Sequence, residues 1–223
     1  MGDPYSLSVD PLGDSLVEVE TPVVRVFHGR ELRFASEANA DAFEANPEKY
    51  LAEVDRRIIE QQKPWYPLSE CVVSGEAFGG DMGEPIDVVY GNRLIRFCCK
   101  GCVKDFKQDP ETYLNKLDAA VIESQKDIYP LTTCVVSGEA LGGDMGEPFD
   151  YVVGNRLVRF CCKMCDTQFN RNPAKFLARL DESRGQSGDS HDANEEGTQH
   201  DEHANHAEGH NHHHDRGGHE SHH

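Results

Sequence analysis

Cysteine is absent from the first 70 residues of this 223-residue chain, and all eight cysteines fall in two later clusters. Histidine is nearly absent before residue 190, with only His28 ahead of the C-terminal segment. No apolar run is long enough to span a bilayer, which excludes a transmembrane helix. Basic residues are scarce: 22 Lys and Arg face 40 Asp and Glu, a formal net charge of −18. A field of that sign repels phosphate backbones and anionic lipid, so nucleic acid is excluded as a partner. It suits cation capture, and it also serves solubility. Apolar residues make up 37% of the chain, low enough to predict that part of it does not fold. The N-terminus has neither a basic n-region nor an apolar h-region, so the cytoplasm is the expected compartment; export is the alternative if a leader has been removed. The chain has no nucleophile elbow, phosphate loop or zinc-protease helix motif, and it is not expected to be an enzyme.

What is present is repetition. Cys71 to Pro85 reads CVVSGEAFGGDMGEP and Cys134 to Pro148 reads CVVSGEALGGDMGEP, differing only at Phe78/Leu141. Cys71/Cys134, Cys98/Cys161, Cys99/Cys162 and Cys102/Cys165 are each 63 residues apart, and Phe106/Phe169, Pro110/Pro173 and Leu114/Leu177 continue the series. A third copy lies upstream, where Phe27, Arg30, Leu32, Arg33, Phe34, Phe43, Pro47 and Tyr50 match Tyr90, Arg93, Ile95, Arg96, Phe97, Phe106, Pro110 and Tyr113. With a short gap before Pro22, its four cysteine positions hold Asp10, Ala35, Ser36 and Asn39. The predicted division is a cysteine-free repeat at 1–62, cysteine-bearing repeats at 63–125 and 126–184, and a disordered tail at 185–223.

Within a repeat, alternating apolar runs flank a two-residue turn: Gly91-Asn92, Gly154-Asn155, and His28-Gly29 in the first copy. That pattern predicts a β-hairpin, with Arg93 and Arg96 as exposed strand residues. A short helix is expected from Lys100. A second helix should open at Asp109-Pro110, with Asp as N-cap and Pro at the first helical position, and Asn46-Pro47 and Asn172-Pro173 should open its counterparts. Its apolar stripe is Tyr113, Leu114, Leu117 and Val121. The fold class is therefore α+β: three tandem hairpin-plus-helix units, each small enough to need support from a neighbour or a metal.

Adjacent cysteines rarely pair with each other, so Cys98-Cys99 and Cys161-Cys162 argue against a disulfide framework. Thiolates are ligands for zinc, copper(I) and other soft ions. Cys71, Cys98, Cys99 and Cys102, and their counterparts Cys134, Cys161, Cys162 and Cys165, are the candidate ligands. Cys102 falls one turn into a helix, where the N-terminal field is expected to favour its thiolate. Cys71-Val72-Val73-Ser74-Gly75 reads as half of a knuckle. Strand alternation would point Cys98 and Cys99 to opposite faces.

A strand ending in Phe-Cys-Cys-x-x-Cys, a Phe four residues on, then Asp-Pro or Asn-Pro and Tyr-Leu resembles the YHS and TRASH-like domains, and Asn46-Pro47-Glu48-Lys49-Tyr50 is close to their closing motif. The resemblance covers about residues 1–183. It implies treble-clef-like modules that bind, sense or traffic heavy metals in prokaryotes, with a transporter or another protein as partner. It also implies a ligand pattern of Cys71, Cys98 and Cys102, and of Cys134, Cys161 and Cys165. The chain departs from the family in lacking the Tyr-His-Ser triplet, in the longer gap from Cys71 to Cys98, and in the additional Cys99 and Cys162.

The tail offers a second ligand set: His191, His200, His203, His206, His210, His212, His213, His214, His219, His222 and His223 stand among Asp and Glu. Imidazole suits zinc, nickel, cobalt and copper(II), so the tail reads as a loose metal collector with low selectivity. A solubilising linker is the plainer reading. Met82 and Met145 read first as loop residues packed under the hairpin and second as thioether ligands. His28, in its turn, is a weak ligand candidate. Metal trafficking, buffering or sensing through zinc or copper is the expected function. The alternatives are a structural-zinc scaffold for protein–protein contact and, behind it, a thiol–disulfide redox protein suggested by the CxxC spacing.

Overall fold

In the computed structural model, which describes residues 2–80, 83–143 and 146–188, each repeat is built on one hairpin. The strands are β1 (Val23–Phe27) with β2 (Arg30–Phe34), β3 (Ile86–Tyr90) with β4 (Arg93–Phe97), and β5 (Phe149–Val153) with β6 (Arg156–Phe160). All three pairs are antiparallel and share one register, Val23 opposite Phe34, Ile86 opposite Phe97 and Phe149 opposite Phe160. Gly154 and Asn155 both take positive φ at the third turn. A side chain at 154 would also collide with Gln62, since a Cβ there would lie 2.9 Å from Gln62 Nε2. Glycine is needed at this turn twice over.

Each hairpin leads into two helices. These are α1 (Glu37–Ala45) and α2 (Pro47–Gln62), α3 (Lys100–Gln108) and α4 (Pro110–Gln125), and α5 (Cys165–Phe169) and α6 (Pro173–Gly188). Asp109 caps α4 by accepting from Thr112 N–H, with Pro110 at the first position. In the third repeat the short helix begins at Cys165, because i→i+3 bonds from Cys165 N–H to Cys162 O and from Asp166 N–H to Lys163 O tighten the turn before it. Helix α6 runs to Gly188, past the change of composition at Gly185.

Each repeat has its own core. The last Phe of the hairpin meets the Phe of the short helix, with ring centroids 5.4 Å apart for Phe34–Phe43, 5.4 Å for Phe97–Phe106 and 5.5 Å for Phe160–Phe169. Leu117 and Val121 of the predicted stripe are fully buried, while Tyr113 and Leu114 are half-buried against the second core. The architecture is α+β, as expected: three hairpin-plus-helix units. No helix among the described residues is long and apolar enough to cross a membrane.

The two arginines expected on an exposed face are not there. Arg93 is only 2% exposed. It pairs with Asp118, and its Nε donates to Asn155 Oδ1 of the next repeat at 2.9 Å. Arg96 is mostly buried, pairs with Asp87 at 2.8 Å, and lies over the Tyr66 and Phe78 rings. For Arg93 the cause is repeat-on-repeat docking, which consumes polar side chains that would otherwise be solvated; Arg96 is covered within its own repeat. Arg30 Nε donates to Asn92 Oδ1 at 2.8 Å, repeating the Arg93–Asn155 contact one unit earlier. Gln62, at the end of α2, donates to Asn92 O and accepts from Leu94 N–H; Gln125, at the end of α4, does the same with Asn155 O and Leu157 N–H. The third unit returns to the first, where Asn172 Nδ2 donates to Leu16 O and Val19 O, and Arg33 donates to Asn170 O and Arg171 O.

Candidate metal centre

Ahead of each hairpin lies a tight knuckle. Cys71 N–H donates to Glu76 O at 2.9 Å and Gly75 N–H to Cys71 O at 2.8 Å, and a bridge pairs Glu70 with Ala77. Cys134, Gly138, Glu139, Thr133 and Ala140 repeat the motif. The knuckle sets the first thiol against the end of the hairpin, where Cys98 leaves β4 and Cys102 lies in the first turn of α3. The three Sγ atoms of Cys71, Cys98 and Cys102 lie within 4.8 Å of one another, as do those of Cys134, Cys161 and Cys165. In the second repeat all three are buried, with Cys71 1%, Cys98 5% and Cys102 6% exposed. Cys98 Sγ and Cys102 Sγ are 3.6 Å apart, and Cys161 Sγ and Cys165 Sγ 3.8 Å. Two thiolates sharing one tetrahedral zinc sit about 3.8 Å apart, given a Zn–S bond of about 2.3 Å. An ion therefore fits without rebuilding the backbone.

Cys99 and Cys162 stand outside these triads. Each is half-exposed, and Cys99 is the N-cap residue of α3. Cys99 Sγ is 3.7 Å from Cys102 Sγ, and Cys162 Sγ 3.9 Å from Cys165 Sγ. All eight thiols are unpaired by disulfides. Ser74 Oγ lies 3.3 Å from Cys98 Sγ, and Ser137 Oγ 3.3 Å from Cys161 Sγ, a contact the sequence did not single out. A cleft of about 450 Å³, lined by Ser74, Glu76, Ala77, Gly80, Cys98, Cys99 and Cys102, opens onto the second repeat's thiols.

The expected ionisation of Cys102 is reversed. Burial, reinforced by the neighbouring Cys98 thiol, pushes it up to about 12, and Cys165 goes to about 12 for the same leading cause. Desolvation outweighs the helix N-terminal field at that depth. At Cys71 burial also opposes ionisation, but the N–H groups of Ser74, Cys98 and Val73 win and bring it down to about 7. Cys134, with Ser137 as its main donor against the same burial, also lies at about 7. Cys99 is lowered by the backbone N–H of Cys102, and Cys162 by that of Met164.

The first repeat keeps the knuckle and replaces the chemistry. Asp10 N–H donates to Asp14 O, Gly13 N–H to Asp10 O, and a bridge pairs Val9 with Ser15, so Asp10 occupies the place of Cys71. Asp10 Oδ1 accepts from Leu12, Gly13 and Asp14 N–H at 2.8, 2.9 and 3.0 Å. Its Oδ2 accepts from Asn39 Nδ2 at 2.6 Å and from Ala35 N–H at 3.2 Å. Asp10, Ala35 and Asn39 thus meet where three thiols meet in the other copies. Five donors saturate the carboxylate and leave it nothing to offer an ion. Ser36, at the position of Cys99, caps α1 by accepting from Asn39 N–H at 3.2 Å.

His28 belongs to no ligand cluster among the described residues and stacks on Phe27. Met82, Met145 and all eleven tail histidines lie outside the described residues. No family model, curated protein or solved structure matches the chain.

Proposed function

We propose that repeats two and three each hold one thiophilic metal ion through Cys71, Cys98 and Cys102 and through Cys134, Cys161 and Cys165, and that the protein carries, buffers or senses that ion rather than catalysing a reaction. The observation that carries this reading is the convergence of three buried thiols, twice over, at a place the first repeat closes with Asp10 and Asn39. The same knuckle and hairpin form there without a thiol, with Asp10 and its donors in the thiols' place. This favours an exchangeable ion over a structural zinc scaffold. Zinc and copper(I) are the ions such a donor set suits best. The reading extends to treble-clef-like modules of the YHS and TRASH kind, to a transporter or other metal-handling protein as partner, and to the histidine tail as a low-selectivity collector of divalent ions.

Elemental analysis of the full chain, purified without added metal, tests it. Zinc or copper bound in proportion to intact triads, and lost in Cys71→Ser/Cys134→Ser, is the expected result. Metal-free protein with a measurable dithiol potential would support the redox alternative instead.

A further inference from the structure

We propose that Cys99 and Cys162 are transfer ligands: they stand outside the resident triad and pass the ion between it and an acceptor thiolate in solution. This rests on the metal-binding reading above. Three observations lead to it.

First, the triad thiols are buried, whereas Cys99 is half-exposed on the cleft that Cys98 and Cys102 also line. Second, Cys102 forms a common edge: its Sγ is 3.6 Å from Cys98 and 3.7 Å from Cys99, nearly equal distances. The third repeat gives the same arrangement, with 3.8 and 3.9 Å about Cys165. An ion bonded to Cys102 can therefore exchange Cys98 for Cys99 while Cys102 holds it. Third, this position needs no thiol for structure. Serine fills it in repeat one and makes the ordinary helix cap, while Cys99 makes no side-chain cap bond.

The step conserves charge and electrons. The Cys99 Sγ–metal bond forms as the Cys98 Sγ–metal bond breaks, and the proton shed by Cys99 passes to the released Cys98. One acceptor thiolate then displaces Cys102 from the side of the cleft, a second displaces Cys71, and Cys99 leaves last, each released thiolate taking a proton from water. A Cβ at Gly101 would make ordinary van der Waals contact with the Cys99 sulfur, at 3.5 Å. In the third repeat Met164 takes that position and is 82% exposed.

Copper(I) is the probe, since it favours thiolates over the tail's imidazoles. Full-length protein and Cys99→Ser/Cys162→Ser are loaded with copper(I). Stoichiometry is measured first, then the rate of transfer to a chromophoric dithiol chelator in stopped flow. The proposal expects two ions in both proteins and transfer slowed at least about tenfold in the variant. Equal rates overturn it. Loss of an ion in the variant also overturns it, by making Cys99 and Cys162 resident ligands. Absence of tightly bound copper(I) in the unmodified chain removes the metal-binding reading itself. Should the serine variant fail to fold, alkylation of Cys99 and Cys162 on the loaded protein gives the same comparison.

Discussion

At the scale of single residues, the thiols of one repeat are not equivalent. Cys71 comes from the knuckle, Cys98 from the strand end and Cys102 from the helix, and removing any of these opens the triad. Cys71→Ser and Cys102→Ser should each weaken ion binding in repeat two by at least about a hundredfold, with Cys98→Ser next and Cys99→Ser mildest, a ligand loss costing several kcal/mol of a typical thiolate site. Competition titration of the four variants ranks them. If Cys99→Ser proves worse than Cys98→Ser, the ion sits on the CxxC pair and the triad is the wrong set. Proton release is a second test. Cys71 titrates at about 7 and Cys102 at about 12, so between pH 7 and 9 an incoming ion must expel at least the Cys102 proton. Affinity should rise about tenfold or more per pH unit there, and more steeply below 7, where Cys71 also has to lose its proton. Affinity independent of pH would mean that Cys102 is already ionised or does not bind.

The cysteine positions were legible because repetition at one offset marked them; alternation along a strand separates Cys98 from Cys99, and the choice of Cys98 came from the resemblance to YHS and TRASH-like domains. The ionisation of Cys102 was not legible: a helix start can be read from sequence, but the depth of burial that overrides its field cannot. Arg93 misled for a related reason. A strand's outward face is solvated only if nothing docks on it, and the docking partner, Asn155, belongs to the next repeat.

Among the elements, the knuckle is the unit that decides whether a repeat presents a thiol triad. The same backbone turn serves a thiol in two copies and a carboxylate in the first. Asp10 there anchors three N–H groups of its own turn and ties the turn to the Ala35 N–H and the Asn39 side chain. Asp10→Ala removes a fully buried acceptor of five hydrogen bonds and should destabilise the chain by about 3 kcal/mol in chemical denaturation. Asp10→Asn, which keeps one acceptor oxygen, should cost less. A change below about 0.5 kcal/mol for Asp10→Ala would show that this network does not stand in for an ion. Asp10 was visible in the sequence as the residue at the missing cysteine's place. Its five bonds were not, because a local turn and a distant helix supply the donors.

For the whole molecule, a repeated set of contacts, Arg30 and Arg93 to Asn92 and Asn155, and Gln62 and Gln125 to the hairpin turns, joins unit to unit, and Asn172 closes the third onto the first. Two thiol sites thus stand on a scaffold whose first unit carries none. The account's central claim is a count, and a zinc titration against a competing chelator measures it, comparing the full chain with one ending at Ser190. The shortened chain should saturate at two tightly held ions at pH 7.5. The full chain should add weaker capacity that disappears as the pH falls through about 6.5, where imidazole gains its proton. A third tight ion in the shortened chain, or none, would contradict the account.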